Sequence, residues 1–71
     1  MDEKKGKEIV LGTVEEALPN ALFRVSLPDE SVITTYLSGK MRLHRIRVLV
    51  GDRVEVLLDP YGGKGRILKR L

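Results

Sequence analysis

The sequence predicts one all-β domain with five short strands and a short helix between the third and fourth strands. Three observations support this fold class. Most apolar residues recur with the period of two that is typical of half-buried strands. The strand-like segments are separated by turn signals rich in Pro, Gly, Asn and Asp. A single stretch, residues 38–47, has apolar residues three apart, which indicates a helical turn.

The first three strands are predicted over residues 10–15, 22–27 and 32–37. Residues 18–20 and 28–31 separate them with the Pro, Asn and Asp chemistry of turns. The third strand is rich in β-branched residues, which favour strands. Along each strand one face collects alternate residues: Val10, Gly12 and Val14, then Phe23, Val25 and Leu27, then Ile33, Thr35 and Leu37.

The stretch SGKMRLHRIR, residues 38–47, is predicted to form the helical connection. Ser38 is a candidate N-cap, and Leu43 and Ile46 lie one helical turn apart, so we expect these two to anchor the helix. Met41 lies off this stripe. Two roles remain open for it: an exposed thioether that packs on a nucleobase, or a cap over the end of the barrel.

The last two strands are predicted over residues 53–58 and 66–71, with a flexible loop over residues 60–65 between them. Val54, Val56, Leu58 and Ile67 would point inward. Five strands with a helix between the third and fourth form the order of an OB-fold, a small Greek-key barrel. An SH3-like barrel is the structural rival, but it usually lacks a helix at that position.

The length of 71 residues is that of one domain. We expect residues 1–7 to form a flexible tail and residues 8–71 to form the OB domain. The chain has no cysteine, which excludes disulfides and thiolate metal sites. No segment has the pattern of a signal peptide or a membrane span. We therefore expect a soluble cytoplasmic protein.

Basic residues are concentrated in the second half of the chain. Residues 38–71 hold nine Lys or Arg and three acids, and eight of the nine bases fall in residues 40–47 and 64–70. Such asymmetry favours one basic face and an anionic partner, although a solvated surface would carry the same charges.

Catalytic and metal-binding functions have little support. Gly39-Lys40 is followed by Met41, and the position five residues before Gly39 is Thr34, so the phosphate-loop pattern fails at both ends. His44 is the only histidine and has no nucleophile or acid near it in sequence. We expect no catalytic residue, no metal and no cofactor.

RNA is the anionic partner that the pattern favours. Lys and Arg bind phosphates, and Tyr36 lies on the outward face of its strand, just before the basic stretch. Phe23 belongs to the apolar face and is expected in the core. With one Phe and two Tyr, the chain lacks the aromatic-rich strands that bind long single strands. Recognition of folded RNA by its backbone and a few extruded bases is therefore expected.

A series of short motifs makes the chain similar to a known family over residues 10–70. In chain order they are Gly12-Thr-Val, Leu18-Pro-Asn, Phe23-Arg-Val, Ser38-Gly-Lys-Met-Arg42, Ile46-Arg47, Gly51-Asp-Arg-Val54, Pro60-Tyr61 and Lys64-Gly-Arg-Ile67. In this order and spacing the chain strongly resembles bacterial translation initiation factor 1.

The resemblance implies a monomeric, non-enzymatic OB-fold protein that binds the 30S ribosomal subunit at the decoding (A) site. It would lie between helix 44 of the 16S rRNA and ribosomal protein S12, with two decoding adenines displaced into protein pockets. It would block tRNA entry and cooperate with initiation factors two and three. The RNA-contacting residues that we expect are Tyr36, Lys40, Met41, Arg42, His44, Arg45, Arg47, Lys64, Arg66 and Arg70.

The chain departs from the family pattern at a few positions. Arg45 stands where relatives commonly have Tyr, and Lys69 replaces a residue that is often aromatic. The loop after Tyr61 is one residue shorter, and Gly62-Gly63 replaces bulkier residues. Three alternative functions make different predictions. A general RNA chaperone of the cold-shock or S1 type would bind unstructured RNA, a protein-only adaptor would bind its partner after nuclease treatment, and a small enzyme would turn over a substrate.

Overall fold

The structure, a computed structural model, describes residues 8–71, so the predicted tail over residues 1–7 lies outside the described residues. It contains five strands and two short helical segments. In chain order these are β1 (Ile9–Leu18), a 3₁₀ turn (Pro19–Ala21), β2 (Leu22–Ser26), β3 (Val32–Leu37), α1 (Gly39–Leu43), β4 (Arg53–Leu57) and β5 (Gly65–Arg70).

The strands close into a barrel in the order β1-β2-β3-β5-β4. All neighbouring strands are antiparallel except β3 and β5, which run parallel and pair Thr35 with Gly65 and Leu37 with Ile67. Closure leaves no sheet edge unpaired among the described strands. Together with the position of α1 between β3 and β4, this arrangement confirms the predicted OB-fold.

The barrel interior is filled by the predicted apolar faces of the strands. Val25, Val54, Val56 and Ile67 are completely buried. Thr35 is the buried polar member of this set, and its Oγ1 donates a hydrogen bond to the carbonyl of Phe23, 2.9 Å away. A buried hydroxyl with a partner avoids the desolvation penalty of an unpaired one. The period-two reading of the strands is therefore confirmed.

Gly12 marks the closest approach of backbone to side chains in β1. A Cβ atom added there would collide with Cγ1 of Val25 and lie 2.8 Å from the carbonyl oxygen of Ser26. Because one contact is with backbone, a larger residue would have to push β2 away from β1. This close approach explains why a glycine stands between Val10 and Val14 in β1.

Helices in the described part of the chain, residues 8–71, are all too short or too polar to cross a lipid bilayer. The longest of them, α1, has five residues. The helix covers one end of the barrel, because its residue Met41 is buried in the core.

Candidate nucleic-acid interface

The start of α1 is set by Ser38, as the sequence predicts. Its Oγ accepts a hydrogen bond from the backbone N–H of Met41 at 3.2 Å, which is N-cap geometry. The backbone N–H of Ser38 donates to the carbonyl of Ile67 in β5 at 3.0 Å. The first turn of α1 is therefore held by its own cap and by the last strand of the barrel.

Met41, and not Leu43, anchors α1 to the barrel. Met41 is 1% exposed and belongs to the core cluster, whereas Leu43 is 77% exposed. The prediction that Leu43 and Ile46 anchor the helix is therefore wrong for Leu43. The helix has only one turn, so it buries just one helical position, and Ile46 packs on the core from the turn that follows. Of the two roles left open for Met41, the structure shows the barrel cap.

The end of α1 is a Schellman motif with an arginine in the left-handed position. The N–H of Ile46 donates to the carbonyl of Met41 at 3.0 Å, and the N–H of Arg45 donates to that of Arg42 at 3.1 Å. Arg45 has a φ of 54°, where Gly or Asn is preferred. No glycine signals this turn in the sequence, so sequence reasoning did not find it.

The basic side chains of this connection point into solvent. Lys40, Arg42, His44, Arg45 and Arg47 are all exposed. Within residues 8–71 the structure contains one ion pair, between Arg24 and Glu16 at 3.9 Å, and it uses none of these residues. The charges of the lysine and the three arginines are therefore available to an external anion.

Two contacts join this connection and the end of β3 to β5. Tyr36 and Arg66 are register partners on the parallel strands. The Nε of Arg66 donates to the Oη of Tyr36 at 3.3 Å, and its guanidinium carbon lies 5.7 Å from the ring centre, at cation–π distance. Nη1 of Arg70 donates to the carbonyl of Arg47 at 3.1 Å. Tyr36 is half-buried by its neighbours, and both arginines of β5 are exposed.

We call the exposed and half-buried residues of this region the basic surface: Tyr36, Lys40, Arg42, His44, Arg45, Arg47, Arg66 and Arg70. Of the ten residues predicted to contact RNA, the structure places these eight on it. Met41 lies beneath the surface and offers no exposed thioether. Lys64 is exposed just before β5 and lines a shallow groove with Val32, Thr34 and Gly63, and no side-chain hydrogen bond or ion pair among residues 8–71 joins it to the others.

The comparison with known families agrees with this geometry. A family model described as "Translation initiation factor 1A / IF-1" matches residues 1–71, which is the entire chain. The chain belongs to this family. The match extends the resemblance seen in residues 10–70 to the full sequence.

Two solved structures are similar to the chain, and one of them is an initiation factor. The solution structure of translation initiation factor 1 from the Wolbachia endosymbiont strain TRS of Brugia malayi is 42% identical, with a TM-score of 0.80. The match covers 99% of this chain and 84% of that chain. YjeQ from Thermotoga maritima is 30% identical with a TM-score of 0.73, over 90% of this chain but 23% of that chain. The same barrel thus also occurs as a small part of a larger protein.

Proposed function

We propose that this initiation factor binds the 30S ribosomal subunit at the decoding (A) site and contacts the 16S rRNA near the top of helix 44 and ribosomal protein S12. It acts there as a cytoplasmic monomer without catalytic activity. It blocks tRNA entry during initiation and cooperates with initiation factors two and three. Family membership and the earlier resemblance support this proposal, and the basic surface provides the chemistry for it.

One observation supports the proposal most directly: the basic residues of α1, of the turn after it and of β5 lie on one surface. Lys and Arg that neutralise phosphates release condensed counterions, which supplies much of the free energy of RNA binding. Because Arg70 contacts the carbonyl of Arg47 and β5 holds the start of α1, the two basic segments form one continuous surface. A shape of this kind suits folded RNA, which is recognised through its backbone.

The residues of the basic surface divide into two roles. Lys40, Arg42 and Arg47 bind phosphates, where charge-assisted hydrogen bonds are strongest. The Tyr36–Arg66 pair, which is in cation–π contact, offers flat groups on which an extruded base stacks. His44 and Arg45 lie on the exposed turn after α1 and complete the wall of a base pocket, in which a guanidinium stacks where relatives have a Tyr ring.

Chemical footprinting of 16S rRNA in 30S subunits tests the proposal. We expect protection concentrated at the decoding-site adenines, and we expect Arg42→Ala to weaken it. Arg24→Ala is the matched control, because Arg24 is an exposed arginine outside the basic surface. Protection spread over unstructured RNA would favour the chaperone alternative. Absence of protection at the decoding site would contradict the proposal.

A further inference from the structure

A β-bulge changes the direction of Arg70. The register between β4 and β5 shifts between Val56, which pairs with Ile67, and Glu55, which pairs with Lys69. Two steps along β5 thus match one step along β4, and Arg70 pairs with Val54. Cross-strand partners lie on the same face, and Val54 is completely buried. Arg70 therefore starts on the inward-facing side of its strand, at the end of the barrel that α1 covers.

From this position the guanidinium reaches the segment after α1. Its Nη1 donates to the carbonyl of Arg47 at 3.1 Å. Without the bulge, strand alternation would place the side chain on the outward face, away from this carbonyl. Bulges commonly redirect a side chain in this way. The contact thus depends on a specific feature of β5 and not on chance proximity of two surface groups.

The carbonyl that Arg70 holds lies between two fixed points. On one side, the N–H of Ile46 is bound to the carbonyl of Met41. On the other, Val48 is buried in the core and the N–H of Leu49 donates to the carboxylate of Asp52 at 2.9 Å. The orientation of the Arg47 carbonyl sets the ψ angle of Arg47. Arg47 thus lies between two anchored residues, Ile46 and Val48, and its side chain is exposed. The hydrogen bond from Arg70 fixes the backbone of this one residue.

We propose that Arg70 is a positioning residue: its guanidinium orients the backbone of Arg47, so that the Arg47 side chain is presented to RNA, and Arg70 does not itself bind phosphate. The expected effect of Arg70 on 30S binding rests on the proposed function. Its structural part, the orientation of Arg47, concerns the free protein alone. The two parts are therefore tested separately.

The first test is NMR spectroscopy of the free full-length protein with Arg70→Ala. Lys69→Ala is the matched control, because it removes the same charge from the neighbouring exposed position. We expect Arg70→Ala to shift the carbonyl carbon resonance of Arg47 and to increase backbone motion over residues 46–48, and we expect Lys69→Ala to change neither. Unchanged resonances over residues 44–49 in Arg70→Ala would overturn the inference whether or not the protein binds ribosomes.

The second test is a double-mutant cycle on 30S affinity with Arg47→Ala, Arg70→Ala and the double variant. Relative to Lys69→Ala, we expect Arg70→Ala to weaken binding about 3- to 10-fold, the size of one hydrogen bond. In the Arg47→Ala background the same change should cost less than about 2-fold, because coupled residues are not additive. Equal losses in both backgrounds would show that Arg70 contacts RNA itself. If the parent protein fails to bind 30S subunits, the proposed function fails while the NMR result still decides the role of Arg70.

Discussion

The guanidinium of Arg66 lies over the ring of Tyr36, with Nε 3.3 Å from the phenolic oxygen and the central carbon 5.7 Å from the ring centre. The two residues are 30 positions apart in the chain, yet they are register partners because β3 and β5 pair in parallel. The contact holds a flat cationic group in one orientation before any ligand arrives. Such preorganisation reduces the entropy that binding must otherwise overcome.

Arg66→Lys is expected to weaken 30S binding by about 1–2 kcal/mol although the charge is kept. Lysine lacks the planar guanidinium that lies over the ring of Tyr36, and it lacks the forked donors that match a phosphate. Equilibrium binding to 30S subunits measures the loss, with Lys69→Arg as a control that tests the reverse exchange on the same strand. Equal affinity of Arg66→Lys and the parent would show that only the charge of Arg66 matters.

Arg45→Gly is expected to stabilise the fold by about 1 kcal/mol while weakening 30S binding. Arg45 has a φ of 54°, which costs an L-residue roughly 1–2 kcal/mol and costs glycine little, although glycine adds entropy to the unfolded chain. Urea unfolding measures the first effect and 30S binding the second. Arg45→Val should be less stable than the parent, because branched side chains fit this conformation worst. A lower stability for Arg45→Gly would contradict the left-handed geometry.

Ser38→Ala is expected to lower the free energy of unfolding by about 1 kcal/mol, because it removes the cap of α1. The variant leaves the N–H of Met41 without the acceptor that lies 3.2 Å away. Ser38→Gly is the informative comparison, since glycine at an N-cap costs only a few tenths of a kcal/mol. Thermal or urea unfolding separates the two variants. If both lose the same stability, the Ser38 hydroxyl does not act as a cap.

Gly12→Ala is expected to destabilise the barrel by about 1–3 kcal/mol, the usual cost of overpacking. The added methyl group would meet the side chain of Val25 and the carbonyl of Ser26. Gly39→Ala is the matched control, because a Cβ at Gly39 has nothing within 4 Å. We expect it to change stability by less than about 0.5 kcal/mol. Comparable losses in the two variants would show that β1 and β2 are not in close contact at Gly12.

Binding to 30S subunits should weaken steeply as salt concentration rises. Each phosphate contact contributes roughly −0.7 to −0.9 to the slope of log affinity against log salt concentration. Arg42→Ala should therefore reduce the slope by about 1 and weaken binding at low salt. Fluorescence binding titrations at several salt concentrations, with the Arg24→Ala control, measure both quantities. A slope that Arg42→Ala leaves unchanged would mean that Arg42 does not neutralise a phosphate.

Local pattern was enough to predict the strands, since burial on one face leaves a period-two signature in the sequence. Val54, Val56 and Ile67 occupy the interior as that signature indicates. The N-cap role of Ser38 could also be predicted from the sequence, because capping needs only a short polar side chain before a helix. These features depend on neighbouring residues alone.

Features that depend on tertiary contacts could not be predicted from the sequence. Met41 and Leu43 both suit a helix, and only the position of the barrel end decides that Met41 is buried and Leu43 exposed. The left-handed Arg45 follows from the docking of Ile46 onto the core, which overrides the preference for glycine. The direction of Arg70 depends on a bulge that has no marker residue in β5.

The dependence of the basic surface on β5 has a consequence for the order of folding. The hairpins β1–β2 and β2–β3 join neighbouring segments and close short loops, whereas β3 and β5 must meet across some 30 residues, which is slower. Because β5 holds Ser38 at one end of the connection and Arg47 at the other, a nascent chain that has not yet added this strand lacks the arranged surface. A growing polypeptide therefore acquires the arranged basic surface late, once the barrel has closed.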